Sequence, residues 1–129
     1  MNKKQIRNYH LDLRMKLSVS DLEILSNKIN TKILSLIEKI NPNKSVGLFY
    51  PYRNEVDVLK ISNDLINKNI KCLLPKVISK GAALKYFEYN PNSSNLEKGF
   101  GGIMEPKGEK TLDPDIIIAS CSAFNEQGY

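Results

Sequence analysis

The densest group of chemically useful side chains lies at Tyr50-Pro51-Tyr52-Arg53-Asn54-Glu55, where two phenol rings and a carboxylate fall close together. Aromatic faces stack on planar heterocycles and a carboxylate accepts hydrogen bonds from ring or amide N–H groups, so the segment suits a flat, nitrogen-rich ligand. The same residues have a purely structural reading, in which Glu55 favours the positive end of a following helix and the tyrosines are partly exposed packing groups. A second group opens the chain. Lys3 and Arg7 lie four residues apart and project from one side of a helix, where they either grip phosphates or form a solvated face. Lys76 is open to the same two readings.

Other chemistries find little support. His10 is the only histidine, and Cys72 and Cys121 lack the close spacing of metal or redox motifs. Both cysteines adjoin apolar runs, so both are expected as reduced, buried thiols. Cys121 as a nucleophile needs a basic partner, and His10 is remote in sequence. Gly99-Phe100-Gly101-Gly102 marks a turn, with no Gly-Lys-Ser/Thr after it to make a phosphate loop. No metal-ligand cluster and no Ser/His/Asp arrangement can be assembled.

The elements that must position these groups follow from periodicity. Residues 3–17 predict a basic amphipathic helix with Ile6, His10, Leu13 and Leu17 on one face. A second helix is expected from Ser20, capped by its hydroxyl with Glu23 reaching back, and with Leu22, Leu25, Ile29, Ile33, Leu36 and Ile40 as its buried stripe. Asn41-Pro42-Asn43 ends it. Residues 45–50 predict a buried strand stopped by Pro51, and Val58, Ile61 and Leu65 a helix ending near Asn69. Residues 70–74 and 83–89 read as further strands, followed by a polar loop over 90–95. Asp115-Ile116-Ile117-Ile118-Ala119 has the β-branched run of a strand at the centre of a parallel sheet covered on both faces. This alternation predicts an α/β sandwich, with ligands beyond the strand carboxyl ends, after Tyr50, Leu74 and Ala119.

Length and composition agree. A chain of 129 residues, 41% hydrophobic and 26% charged, fits one globular domain spanning 1–129. It has no run of the roughly 20 apolar residues that a membrane-spanning helix needs and no signal-peptide core after Met1, so a soluble, cytoplasmic protein is expected. The net charge of +5 is concentrated early: residues 1–40 hold eight Lys/Arg against four Asp/Glu. A nucleic-acid binder would owe its function to that basic helix, but the helix carries a single Phe, Tyr or Trp ring, Tyr9, among its basic residues.

Taken in order, these features resemble the 5-formyltetrahydrofolate cyclo-ligase family, also called 5,10-methenyltetrahydrofolate synthetases. The resemblance rests on Lys3 to Arg7, then Arg14 and Leu17-Ser18, on Glu55-Val56-Asp57, on Leu74-Pro75-Lys76, and on Leu84, Tyr86 and Tyr89. Its most specific piece is Leu96 to Pro106, with Gly99, Gly102, Ile103, Glu105 and Pro106 in register, followed by Ala123-Phe124-Asn125-Glu126-Gln127-Gly128.

The resemblance implies a three-layer α/β sandwich with a mostly parallel central sheet and a site for ATP, Mg2+ and a small-molecule folate at the strand ends. It implies ATP-dependent conversion of 5-formyltetrahydrofolate to 5,10-methenyltetrahydrofolate, ADP and phosphate. By position, Lys3, Lys4 and Arg7 would hold ATP phosphates, Tyr50 and Tyr52 would line the folate pocket, and Glu55 would bind the pterin. Two positions depart from the family: Ser120-Cys121 stands where Pro-Gly is usual, and Asn125 stands where Asp is usual, removing a negative charge that could serve magnesium. The family pattern continues past Gly128-Tyr129 with a glycine-rich phosphate segment, so the domain is expected to be C-terminally incomplete. A catalytically dead folate-binding remnant is the alternative. Neither residues nor resemblance gives an oligomeric state.

Overall fold

The computed structural model describes residues 1–40, 45–93, 95–108 and 110–129. The expected helix stop at Asn41-Pro42-Asn43 lies outside them. Helix α1, Lys3–Met15, opens with a reciprocal cap: Asn2 Oδ1 accepts the Gln5 N–H and Gln5 Oε1 accepts the Asn2 N–H, both at 2.9 Å. This pairing satisfies two of the amides that a helix start leaves orphaned. Helix α2, Val19–Ile40, is capped by Ser18, whose Oγ accepts the Asp21 N–H at 3.0 Å. The cap is therefore Ser18 rather than Ser20.

The strands are β1 Ser45–Gly47, β2 Lys71–Lys76, β3 Lys85–Tyr89, β4 Leu96–Lys98, β5 Met104–Pro106, β6 Thr111–Leu112 and β7 Ile116–Ile117. The central sheet has the order β6-β3-β2-β1-β7, and β4 and β5 form a separate hairpin. Strands β2, β1 and β7 are parallel neighbours, whereas β3 runs antiparallel to both β2 and β6. All but β3 therefore run one way, the mixed and mostly parallel α/β sheet that the strand pattern predicts. Between β1 and β2 the chain forms a 3-10 turn, Val58–Ile61, continued by helix α3, Ser62–Asn67.

Register assigns the faces. Val46 lies beside Cys72, which lies beside Tyr89, so these side chains share one face. Leu48, Val58, Ile61, Leu65, Leu74 and Ile37 of α2 join them in the main core. Leu73 points the other way, beside Gly47. Strand β7 lies at the end of the strand order among the described residues, and Ile117, on the Gly47 face, is 53% exposed. Its β-branched run predicted a central strand; only Ile116 and Ile118 pack against the core.

Helix α2 is turned relative to its expected stripe. Leu25, Ile29, Leu36 and Ile40 are 42, 40, 57 and 55% exposed, while Ser26, Asn30 and Ile37 are buried. The two sets differ by one residue, a rotation of about 100°. The reason is that Ser26 and Asn30 have polar partners on the core side, described below, which apolar periodicity does not register.

One glycine in the sheet is fixed by its surroundings. A β-carbon on Gly47 would lie 2.8 Å from the Tyr86 ring and 3.4 Å from the Pro114 β-carbon. Tyr86 thus reaches across toward β1, where the connection from β6 to β7 also passes, and burial pushes its phenol pKa upward. Gly47→Val should overpack this contact and cost about 1–3 kcal/mol. Urea unfolding should show a lower midpoint with an unchanged slope.

Candidate functional site

Beyond β1, Leu48 still donates its N–H to the Leu73 carbonyl at 2.8 Å, and the chain then leaves the sheet at the carboxyl ends of the parallel strands. Tyr50 is half-buried, Tyr52 and Arg53 are exposed, and Glu55 is partly buried. Arg53 and Asn54 have φ values of 49° and 57°, and the Glu55 N–H donates to the Tyr52 carbonyl at 3.2 Å. Two consecutive left-handed residues closed in this way form a tight turn, at a cost of about 1–2 kcal/mol for each non-glycine residue. Glu55 Oε1 accepts the Tyr52 N–H at 2.8 Å and bridges the same turn from its side chain. The carboxylate therefore organises the aromatic turn, a role that its reading as a helix-end charge did not include.

Neighbouring helices hold this turn from two sides. Asn54 Nδ2 donates to the carbonyls of Arg14 at 3.2 Å and Leu17 at 3.5 Å, and Arg14 Nε donates to the Arg53 carbonyl at 2.9 Å. At the other end the Asp57 N–H donates to Ser26 Oγ at 3.2 Å, and Asn30 Nδ2 donates to the Asp57 carbonyl at 2.9 Å. Sequence reasoning missed Ser26 and Asn30. The available signal was a serine and an asparagine four residues apart within an apolar helix, a spacing that places both on one face.

Lys3, Lys4 and Arg7 are all exposed on α1. Lys3, Arg7 and Arg14 are spaced by four and seven residues and share one face, whereas Lys4 projects about 100° away. Because Arg14 reaches the Arg53 carbonyl, the row formed by Lys3 and Arg7 runs on the side of α1 that meets the turn. Along the axis Arg7 stands about 10 Å and Lys3 about 16 Å from Arg14. No residue of α1 is buried. On its expected apolar face, Ile6 and Leu17 are partly buried but His10 and Leu13 are exposed.

At the end of β2, Lys76 Nζ lies 3.4 Å from Glu97 Oε1 and 5.8 Å from the Phe87 ring centroid, so its ammonium is engaged by the hairpin side. Glu105 is 6% exposed, and its Oε2 accepts the Val77 N–H at 2.9 Å. A β-carbon on Gly99 would overlap the Glu105 carboxylate, and Gly101 and Gly102 have φ of 69° and 77°. The Leu96–Pro106 motif is therefore a clasp: glycines where a side chain would collide or strain the backbone, and an acid that ties the hairpin to β2.

Cys72 is buried, and burial pushes its thiol up to about 11. Cys121, expected to be buried, is exposed beyond β7. Asn125 Oδ1 accepts the N–H groups of Gln127 at 3.1 Å and Tyr129 at 2.9 Å, so it acts as a turn former. Among the described residues no group of three or more His, Cys, Asp or Glu could hold a metal ion. A cavity of about 290 Å³ lies against β3 and β6, lined in part by Phe87, Asn95, Lys107, Lys110 and Leu112 and by none of the turn residues.

Three outcomes follow from this arrangement. Asn30→Ala removes the donor to a partly buried carbonyl and should destabilise the chain by about 1–3 kcal/mol in urea unfolding. At pH 8 a disulfide reagent should modify Cys121 rapidly and Cys72 only on unfolding. The raised thiol pKa of Cys72 stabilises the fold below the unfolded value near 9.0, and that contribution should be lost as pH climbs through about 11.

The sequence profile of the 5-formyltetrahydrofolate cyclo-ligase family matches residues 1–129. A 5-formyltetrahydrofolate cyclo-ligase of Mycoplasma pneumoniae is 32% identical over 80 residues, covering 61% of this chain and 49% of that protein. The chain therefore spans about half the length of that relative. The solution structure of Aquifex aeolicus 5,10-methenyltetrahydrofolate synthetase superposes on all of this chain with a TM-score of 0.81 at 31% identity, which accounts for 66% of the Aquifex protein. A 5,10-methenyltetrahydrofolate synthetase structure from Mycoplasma pneumoniae matches 79% of this chain and 73% of its own, with a TM-score of 0.61 and 26% identity. With its whole length matched to the family and its turn, clasp and mixed sheet in place, the chain belongs to the 5-formyltetrahydrofolate cyclo-ligase family.

Proposed function

We propose that this chain carries out, as a cytoplasmic enzyme, the ATP-dependent conversion of 5-formyltetrahydrofolate to 5,10-methenyltetrahydrofolate. The observation that carries this reading is the bonded unit of turn and helix. Glu55 is fixed beside the exposed ring of Tyr52, and the same turn is bonded to α1, whose Lys3 and Arg7 face its side. Tyr50 and Tyr52 stack on the pterin, and Glu55 accepts its N–H groups through the oxygen that Tyr52 leaves unbonded. Lys3, Arg7 and Lys4 bind the triphosphate.

In this reaction the formyl oxygen takes the terminal phosphoryl group of ATP and ADP leaves. N10 then attacks the formyl carbon, the C–O bond breaks to release phosphate, and the N10 proton passes to solvent. The protein supplies position and charge. Mg2+ would arrive as the counter-ion of the triphosphate and offset its charge. Among the described residues, no helix is long and apolar enough to cross a membrane. The ligands of this reading are small molecules rather than nucleic acid.

The test is the absorbance gain of methenyltetrahydrofolate when the chain meets 5-formyltetrahydrofolate, magnesium and ATP, against a control lacking ATP. An ATP-dependent gain is expected. Glu55→Gln keeps an acceptor for Tyr52 but should weaken folate binding about tenfold, the loss of one charge-assisted bond. Lys3→Ala with Arg7→Ala should raise the ATP requirement and leave folate affinity intact. Folate binding without turnover would support a second reading, a folate-binding unit that lacks the chemistry. Neither binding nor turnover would overturn both.

A further inference from the structure

Arg53 adopts a backbone conformation, φ 49°, that glycine reaches without steric cost and an arginine does not. None of its backbone contacts requires that side chain. The Arg53 carbonyl would accept from Arg14 Nε, and the Glu55 N–H would close on the Tyr52 carbonyl, with glycine at position 53 as well. The guanidinium is instead held over the Tyr52 ring, 5.1 Å from its centroid, in an exposed position. Among the described residues the ion pairs are Lys60 with Glu23 and Lys76 with Glu97, and no carboxylate pairs with Arg53. Strain kept at a site where a less strained residue would serve the fold is the mark of a functional constraint.

We infer that Arg53 is a ligand-binding residue whose planar guanidinium, preoriented on Tyr52, clamps an anionic oxygen group of the substrate. This rests on the folate and ATP reading above and adds to it a recognition element that the sequence treated only as a member of the turn. Two sources offer the required chemistry: the carboxylates at the glutamyl end of the folate, and the phosphates of the nucleotide. Either presents paired oxygens that match a guanidinium fork, with the ring beneath restricting its orientation.

The experiment compares the 129-residue chain with its Arg53→Gly variant by thermal unfolding and by calorimetric titration. The titrants are 5-formyltetrahydrofolate, 5-formyltetrahydropterin, which lacks the aminobenzoylglutamate, and magnesium ATP. Relief of strain predicts an equal or higher unfolding temperature for Arg53→Gly, together with at least about tenfold weaker binding of one anionic ligand. If the loss falls on 5-formyltetrahydrofolate and spares the pterin, Arg53 holds the glutamyl carboxylate. If it falls on ATP alone, Arg53 holds phosphate. Equal affinities of variant and parent for all three would overturn the assignment while leaving the folate reading intact, and a lowered unfolding temperature with unchanged affinity would make Arg53 a structural residue. Absence of binding by the parent chain itself would overturn the folate reading and the Arg53 assignment together.

Discussion

Asp57 has both of its backbone polar groups bonded to one helix: its N–H donates to Ser26 and its carbonyl accepts from Asn30. Backbone polar groups buried without partners cost free energy, so a loop that dips under a helix needs side chains of this kind to receive it. Meeting that requirement sets the rotation of α2, which in turn brings Ile37, Ile33 and Leu34 onto the sheet and leaves Leu25, Ile29, Leu36 and Ile40 outside. The same bonds set where the 3-10 turn begins. Val58 and Ile61, directly downstream, are buried in the main core, so the loop end and the first core residues are placed together.

Most elements were legible because apolar runs and their Pro, Gly and Asn boundaries report directly on burial. The strands near 45–50, 70–74 and 83–89 came out within a few residues, and the interrupted helix after Val58 was found by its apolar spacing. What periodicity could not report is phase when two apolar stripes lie side by side. On α2 the polar pair Ser26 and Asn30 decided between them, through a loop distant in sequence. Ser18 against Ser20 as the cap is a similar near-degeneracy, because both precede acidic residues by three. Cys121 read as buried because Ile116 to Ile118 are apolar, yet the chain has left the sheet by that point.

The candidate site was legible in its residue types and less so in its bonding. Two tyrosines and a glutamate beside a strand end suggested a planar ligand. That Glu55 also closes its own turn depends on the positive φ angles of Arg53 and Asn54, which neither residue type announces. Glu105 was visible as a position in a motif, and the structure gives the reason for the motif: the acid occupies the space above Gly99 and holds the amide of Val77. A motif of this kind constrains two segments at once, because no side chain fits at position 99 while Glu105 stands where it does.

Helix α1 is bonded to the turn through Arg14, near its C-terminal end, and none of its residues is buried. Mechanically it is a stiff rod with its fulcrum at one end. With Lys3 about 16 Å from that fulcrum, a tilt of about 10° swings the far end by about 3 Å. The place of the basic tip relative to the aromatic turn thus depends on the angle at which the bonds of Arg14 and Asn54 hold the helix, and a small change in that angle becomes a displacement the length of a hydrogen bond at Lys3.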